Sequence, residues 1–280
     1  VFLEDFVDQL AEALVDQGRD FWWIDYAPFG AKMSLPVPGT KDGKQITGDD
    51  CVVTYGSINL VRRLLRGNPW FKDVWQPTAW MNLENLACTA YYSHWRKHML
   101  VRENAFVTWA MLVEDTGFFY EKFSSGGCLF IKPNQNLKLF TGKVVSRKGF
   151  DEFRRVEQDC YDVPGDCLCV VAKPYAISGE WRFVIADGKV VTGSRYRKDG
   201  KQSLGRAIHK DVPWMLAEEL ACDPWQPDVA YVVDIAQSGD EYGLLEIGAV
   251  NSAGLYHCDP KAVVDAISFL AEREYSETKD

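Results

Sequence analysis

Two apolar runs near the C-terminus constrain this chain more than any other feature. AYVVDIA (230–236) and LLEIGAV (244–250) are joined by the turn-rich link QSGDEYG, so they read as an antiparallel hairpin. A single acid interrupts each run. Pairing about Asp240 sets Asp234 directly opposite Glu246. Facing carboxylates repel across a ladder, and acids are rarely buried without a partner. A divalent cation answers both problems, and magnesium favours one or two carboxylates plus phosphate oxygens. Asn251 follows closely enough to add an amide oxygen to the same place. The plainer alternative is a surface hairpin with two solvated acids.

Three further segments carry chemistry. CLFIKP (128–133) and CVVAKP (169–174) each run four apolar residues into Lys-Pro. A lysine closing a buried strand can lay its stem on the core and present its ammonium at the mouth, so Lys132 and Lys173 are candidate phosphate contacts. In EWRFVIADGKVVTGSR (180–195) the pair Asp187-Gly188 is a strong hairpin signal. Pairing about it sets Glu180 opposite Arg195, with Arg182 on the same face, and arginine suits phosphate by its fixed donor fork. A surface ion pair is the competing explanation. Between the two Lys-Pro strands, Thr141-Gly142-Lys143 can form a flap whose backbone N–H groups approach phosphates.

The remaining chain is ordinary globular sequence. With 47% hydrophobic and 25% charged residues among 280, a buried core is expected and disorder is not. A net charge of −9 repels phosphate backbones, which makes nucleic acid an unfavourable partner. Eight cysteines are too sparse for a disulfide scaffold, and the reading is reduced thiols in the cytoplasm. No apolar run approaches the roughly 20 residues of a membrane span. Residues 3–17 predict an amphipathic helix ended by Gly18, and 21–26 and 51–56 predict buried strands. Ser57 is set to cap a helix over 57–67, and residues 83–100 predict another. His94 and His98 share a face there, but two exposed histidines are preferred to a metal site. Trp70, Trp75 and Trp80 are expected to pack a loop onto the core. From about residue 112 the pattern is short strands and turns, with helices near 149–160, 211–221 and 260–273.

Taken in order, these pieces resemble the ATP-grasp superfamily. Within it the chain resembles a clade from bacterial and phage genomes named for two arginines and a lysine, its third family most of all. FIKP, LFTGKVV, ISGEWRFVI, LLEIGAVNSAGLY and VVTYGSINLVRRL carry the likeness, over about residues 15–260. The resemblance implies an α+β fold. Two α+β subdomains would clasp ATP over 116–280, preceded by a small α/β domain over 1–115. It implies ATP and Mg²⁺ as cofactors. Lys132, Thr141, Gly142, Lys143 and Lys173 would contact ATP, Pro174, Tyr175 and Ala176 would form its adenine hinge, and Glu180 would lie near ribose or substrate. Arg182 and Arg195 would be the catalytic arginines, and Asp234, Glu246 and Asn251 the metal positions. Many such enzymes have Glu-x-Asn, whereas four residues separate Glu246 from Asn251 here. The implied reaction is carboxylate–amine ligation through an acylphosphate, on an amino acid, a peptide or another small carboxylate, and a homo-oligomer is possible. A phosphotransferase and a non-catalytic nucleotide-binding module are the alternatives. A covalent nucleotidyltransferase needs Lys-x-Asp-Gly, but Arg197-Lys198-Asp199-Gly200 puts the lysine one step late.

Overall fold

The computed structural model describes residues 4–27, 32–39, 46–47, 49–65, 80–135 and 139–278. Trp70 and Trp75 lie outside them. Helix α1 (Glu4–Asp16) is the expected amphipathic helix, closed by Gly18 at φ +65°, a conformation that suits a residue without Cβ. Four two-residue strands follow: β1 (Trp22–Trp23), β2 (Tyr26–Ala27), β3 (Lys32–Met33) and β4 (Val37–Pro38), paired β1–β4 and β2–β3. They replace the single buried strand expected at 21–26. Pro38, opposite Trp22, has no N–H to extend that ladder. Helix α2 (Ile58–Leu65) begins where expected, with Ser57 Oγ accepting from Leu60 N at 3.3 Å. Trp80 is buried and donates to Glu274 at 2.8 Å.

The helix expected over 83–100 is shorter. It divides into α3 (Cys88–His94) and a 3₁₀ turn (Arg96–His98) about the fully buried Trp95. His94 stacks on Trp225 with centroids 4.3 Å apart, while His98 Nδ1 lies 3.6 Å from Glu219. The two histidines therefore have different partners. Among the described residues, no group of three or more His, Cys, Asp or Glu is placed to hold a metal.

Strand β5 (Asn104–Thr108), helices α4 (Trp109–Glu114) and α5 (Thr116–Phe123), strands β6 (Cys128–Pro133) and β7 (Lys143–Ser146), helix α6 (Phe150–Tyr161) and strand β8 (Leu168–Ala172) come next. The strands form an antiparallel four-stranded sheet in the order β5-β8-β6-β7. Its core gathers Trp109, Leu112, Phe119, Leu129, Ile131 and Phe153. The two helices α4 and α5 stand where strands and turns were expected. Thr108 caps α4 by accepting from Met111 N at 3.2 Å. β5, which precedes the expected domain boundary at 115, is an edge strand of this sheet.

The last sheet has five antiparallel strands, β9 (Gly179–Ala186), β10 (Lys189–Lys198), β11 (Lys201–Arg206), β12 (Ala230–Ser238) and β13 (Glu241–Ala249), ordered β11-β10-β9-β12-β13. Helices pack against both of its faces. α7 (Val212–Ala221) shares a core with Phe183, Ile185 and Val233, while α8 (Pro260–Glu277) shares one with Val184, Ala186 and Val232. α8 is started by Asp259, whose side chain accepts from Lys261 N and Ala262 N, with Pro260 at the first helical position. Residues 51–56 form no strand. Their polar groups brace the turn after β13 instead, through Gly56 N to Asn251 O (2.9 Å) and Tyr55 OH to Ala253 O (2.7 Å). All eight cysteines are free. No helix of the described residues is long and apolar enough to cross a membrane.

Candidate nucleotide site

One face of the five-stranded sheet changes character along its length. On β9 that face reads Glu180, Arg182, Val184, Ala186, and on β12 Asp234, Val232, Ala230 lie alongside the last three. The apolar half is covered by α8. The charged half gathers the candidate residues Glu180, Arg182 and Asp234.

Register decides which charges meet. β12 and β13 turn between Gly239 and Asp240, with Ser238 opposite Glu241, which by simple counting would set Asp234 against Leu245. A bulge after Ile235–Leu244 adds one residue to β13 and restores the expected pair Asp234–Glu246. The β9–β10 hairpin turns at Asp187-Gly188 as expected, both at positive φ. Two bulges in β10 then shift its register. Arg195 stands opposite Trp181, and Arg197 opposite Glu180. This corrects the expected Glu180–Arg195 pair: Arg195 shares the Trp181 face, away from Arg182, and its Nε lies 3.5 Å from Ser203 O.

The centre is the Arg182–Asp234 pair. Arg182 Nε donates to Asp234 Oδ1 and Nη2 to Oδ2, both at 2.7 Å, and Nη1 donates to Gly254 O at 2.8 Å. Asp234 is 2% exposed. Burial pushes its carboxyl above the usual range, and the guanidinium works against that shift. Tyr196 OH lies 2.8 Å from Glu180 Oε2 and 3.3 Å from Asp234 Oδ2, and Arg197 Nη1 donates to Glu180 Oε1 at 3.1 Å. The Tyr196 ring stacks on Tyr256 at 4.6 Å and 8°.

Lys132 enters from the other sheet. At the end of β6 its Nζ donates to Tyr91 OH at 3.2 Å and lies 3.4 Å from Glu246 Oε2. Burial opposes its charge, but Tyr91, Cys88 and Glu246 more than offset that and hold the ammonium well above its ordinary value. A Cβ at Gly142 would lie 3.1 Å from both Lys132 Cβ and the Phe130 ring, so the glycine lets the segment before β7 close over the lysine stem.

The other expected residues fall outside this cluster. Lys143 Nζ pairs with the fully buried Glu157 of α6 at 2.5 Å. Thr141 and Lys173 are exposed. Pro174, Tyr175 and Ala176 belong to the link 173–178 that joins β8 of one sheet to β9 of the other. Asn251 lies in the short 3₁₀ turn after β13, and its Oδ1 is buried without a hydrogen-bond partner. Tyr91, Tyr196, Arg197, Gly254 O and Tyr256 were not anticipated. The bulges that deliver Tyr196 and Arg197 leave no local sequence signal. Arg197-Lys198-Asp199-Gly200 forms the end of β10 and its turn into β11, with Asp199 and Gly200 at positive φ and Lys198 opposite Lys201.

Three cations (Lys132, Arg182, Arg197) thus face three acids (Glu180, Asp234, Glu246). A polyphosphate entering alone would add unbalanced negative charge, and one entering with divalent cations would not. Glu246 (side chain 44% exposed) and Asp234 offer carboxylate oxygens, and Asn251 Oδ1 is unpartnered; these are the oxygen donor types that Mg²⁺ prefers.

A family model for an ATP-grasp domain, that of family 2 in the clade named for two arginines and a lysine, matches residues 114–266, and the chain belongs to that family. The clade is the expected one, and the matching model is that of its second family. No curated protein matches. Among solved structures the fold is that of the D-cycloserine synthetase DcsG, at 14% identity with a TM-score of 0.59, over 96% of this chain and 94% of that one. A RimK-domain ATP-grasp protein from Sphaerobacter thermophilus aligns at 12% identity and TM-score 0.55, over 95% and 96%. The ATP-grasp ligase PsnB, complexed with a phosphomimetic variant of its minimal precursor, Mg and ADP, aligns at 16% identity and TM-score 0.50, over 96% and 94%. In another PsnB structure the alignment covers 60% of that chain.

Proposed function

We propose that this ATP-grasp protein is an ATP- and Mg²⁺-dependent ligase that activates the carboxylate of an amino acid or peptide and joins it to an amine. The observation that carries the reading is the meeting of Lys132 from one sheet with Glu246 from the other, where Glu246 stands opposite the Asp234 of the Arg182–Asp234 pair. The neighbouring structures run the same way, since one is a D-cycloserine synthetase and another a ligase complexed with a variant of its minimal precursor, Mg and ADP.

Each residue then has a task. Lys132 presents a retained ammonium to a phosphate oxygen. Arg182 has already committed three of its five N–H groups to Asp234 and Gly254, which leaves two for phosphate or substrate carboxylate. Glu246, Asn251 and Asp234 would hold magnesium. Bound magnesium would screen phosphate charge and ATP would supply the phosphoryl that makes the acylphosphate an amine can capture. The protein's contribution is position and preset charge, and no side-chain nucleophile is needed. The link 173–178, with Pro174, Tyr175 and Ala176, runs from one sheet to the other, where an adenine can meet backbone donors and acceptors. Lys173 opens that link, and Thr141 and Gly142 precede β7 next to the Lys132 stem, so this reading gives all three to the nucleotide. Arg195, on the opposite face, has no part in it.

Calorimetry of ATP binding, with and without Mg²⁺, tests it on the chain and on Glu246→Gln. The wild type should bind only with Mg²⁺. The variant should lose at least about tenfold in Mg²⁺-dependent affinity, a loss typical even of outer-sphere changes at metal sites. Absence of binding in the wild type under both conditions would sink the proposal. A stable phosphoester product, rather than phosphate released only when acid and amine are both present, would replace ligase by phosphotransferase.

A further inference from the structure

Tyr196 joins two acids that stand on different strands. Its hydroxyl is 2.8 Å from Glu180 Oε2 on β9 and 3.3 Å from Asp234 Oδ2 on β12. A phenol has one proton to give, and the shorter distance directs it to Glu180, with Asp234 close to the same oxygen. Without that hydroxyl, two carboxylates on one sheet face would have only their separate arginines to hold them, Arg197 for Glu180 and Arg182 for Asp234. The charged groups around the phenol are therefore Glu180 and Arg182 of β9, Arg197 of β10, Asp234 of β12 and Glu246 of β13, with the hydroxyl of Tyr256 on the following loop.

The ring of Tyr196 is fixed as carefully as its hydroxyl. It lies flat on Tyr256, and the Arg182 guanidinium carbon is 5.7 Å from the Tyr196 centroid and 5.2 Å from that of Tyr256. Tyr256 sits at φ +52°, a left-handed conformation that is uncommon for a non-glycine residue. The ring stack and the Tyr196 hydroxyl converge on the Glu180–Arg182–Asp234 row.

We propose that Tyr196 is a positioning residue of the nucleotide site: its hydroxyl sets the Glu180 and Asp234 carboxylates in register, and the ring of Tyr256 holds Tyr196 in place. This rests on the ATP and Mg²⁺ reading given above. Tyr196 touches neither metal nor nucleotide in this role and acts through the acids.

The test is calorimetry of a non-hydrolysable ATP analogue over a range of Mg²⁺ concentrations, with thermal unfolding of the ligand-free chain alongside. Tyr196→Phe keeps the stack and removes the hydroxyl. It should raise the Mg²⁺ concentration for half-maximal binding by about tenfold, the loss of one charge-assisted hydrogen bond, while leaving analogue affinity at saturating Mg²⁺ unchanged. Tyr256→Leu, which keeps the Tyr196 hydroxyl but removes its platform, should shift the requirement less than Tyr196→Phe and in the same direction. A Tyr196→Phe chain with the wild-type Mg²⁺ requirement overturns the proposal and leaves the nucleotide reading standing. So does a loss of affinity that merely tracks a lowered melting temperature and persists at saturating Mg²⁺. A wild type that does not bind the analogue overturns both.

Discussion

Replacing Arg182 with methionine should separate its structural from its chemical part. The substitution keeps an unbranched stem but removes both bonds to Asp234 and the bond to Gly254 O. Asp234, 2% exposed, then has only the Tyr196 hydroxyl near it, 3.3 Å away with its proton directed to Glu180. Breaking a buried pair by removing one partner costs about 3–5 kcal/mol, because the other charge stays buried. At roughly 2–3 °C per kcal/mol for a chain of this size, the melting temperature should fall by roughly 6–15 °C. Scanning calorimetry of the ligand-free protein reads this directly. The effect should persist at high salt, since a pair this deeply buried is poorly screened. Arg182→Met/Asp234→Leu removes both charges together, so it should regain most of the lost stability while remaining unable to bind Mg²⁺-nucleotide. A single variant within about 1 kcal/mol of wild type would refute the reasoning, because the cost of an orphaned buried carboxylate does not permit so small a change.

Two further predictions concern the margins of the site. Gly142→Ala places a methyl 3.1 Å from Lys132 Cβ and the Phe130 ring, so it should weaken Mg²⁺-nucleotide binding with a melting temperature near that of wild type, which calorimetry and thermal unfolding would show together. Asp228 accepts from Asn82 N at 3.1 Å and Val229 N at 2.8 Å, yet burial pushes its carboxyl up to about 7. The folded chain then holds that proton more tightly than the unfolded one, so stability should fall as pH rises from about 4 to about 7, by at most about 1.4 kcal/mol per unit. Denaturant unfolding at several pH values should show this slope reduced in Asp228→Asn, and an unchanged slope would remove Asp228 as its source.

What could be read from the sequence followed local pattern, and what could not depended on register. Asp187-Gly188 marks its hairpin because a type I′ turn needs positive φ at both central residues, and the structure has both. Lys132 at the end of CLFIKP was legible for the same local reason: a strand with buried alternate positions ends in a residue that can reach out. Arg195 was misplaced because each β-bulge moves a whole strand end by one residue, and nothing in VVTGSRYRK announces two of them. The Asp234–Glu246 pair came out as expected through two compensating offsets, a turn centred half a residue earlier than assumed and a bulge that restores it. Tyr91 and Tyr256 reach the site from α3 and from the loop after β13, contacts that only the tertiary fold creates. Residues 51–56 look like a strand by composition, but their hydrogen bonds go to the 251–253 turn, a competition that no windowed pattern contains.

The pairing of Lys132 with Glu246 bears on how nucleotide and metal arrive. In the ligand-free chain the lysine already has an anion, 3.4 Å away and on the other sheet. A phosphate oxygen approaching Lys132 therefore replaces one anionic partner with another, and the gain is only the difference between them. On the proposed function the exchange has a second consequence, because a Glu246 carboxylate displaced from the lysine can turn an oxygen toward a metal. A phosphate without a cation would leave that carboxylate facing it, and a cation without a phosphate would have to draw Glu246 away from Lys132 unaided. Each ligand makes room for the other, so the two should bind with positive coupling. Linkage requires the coupling to be reciprocal: whatever factor Mg²⁺ adds to nucleotide affinity, nucleotide adds to Mg²⁺ affinity.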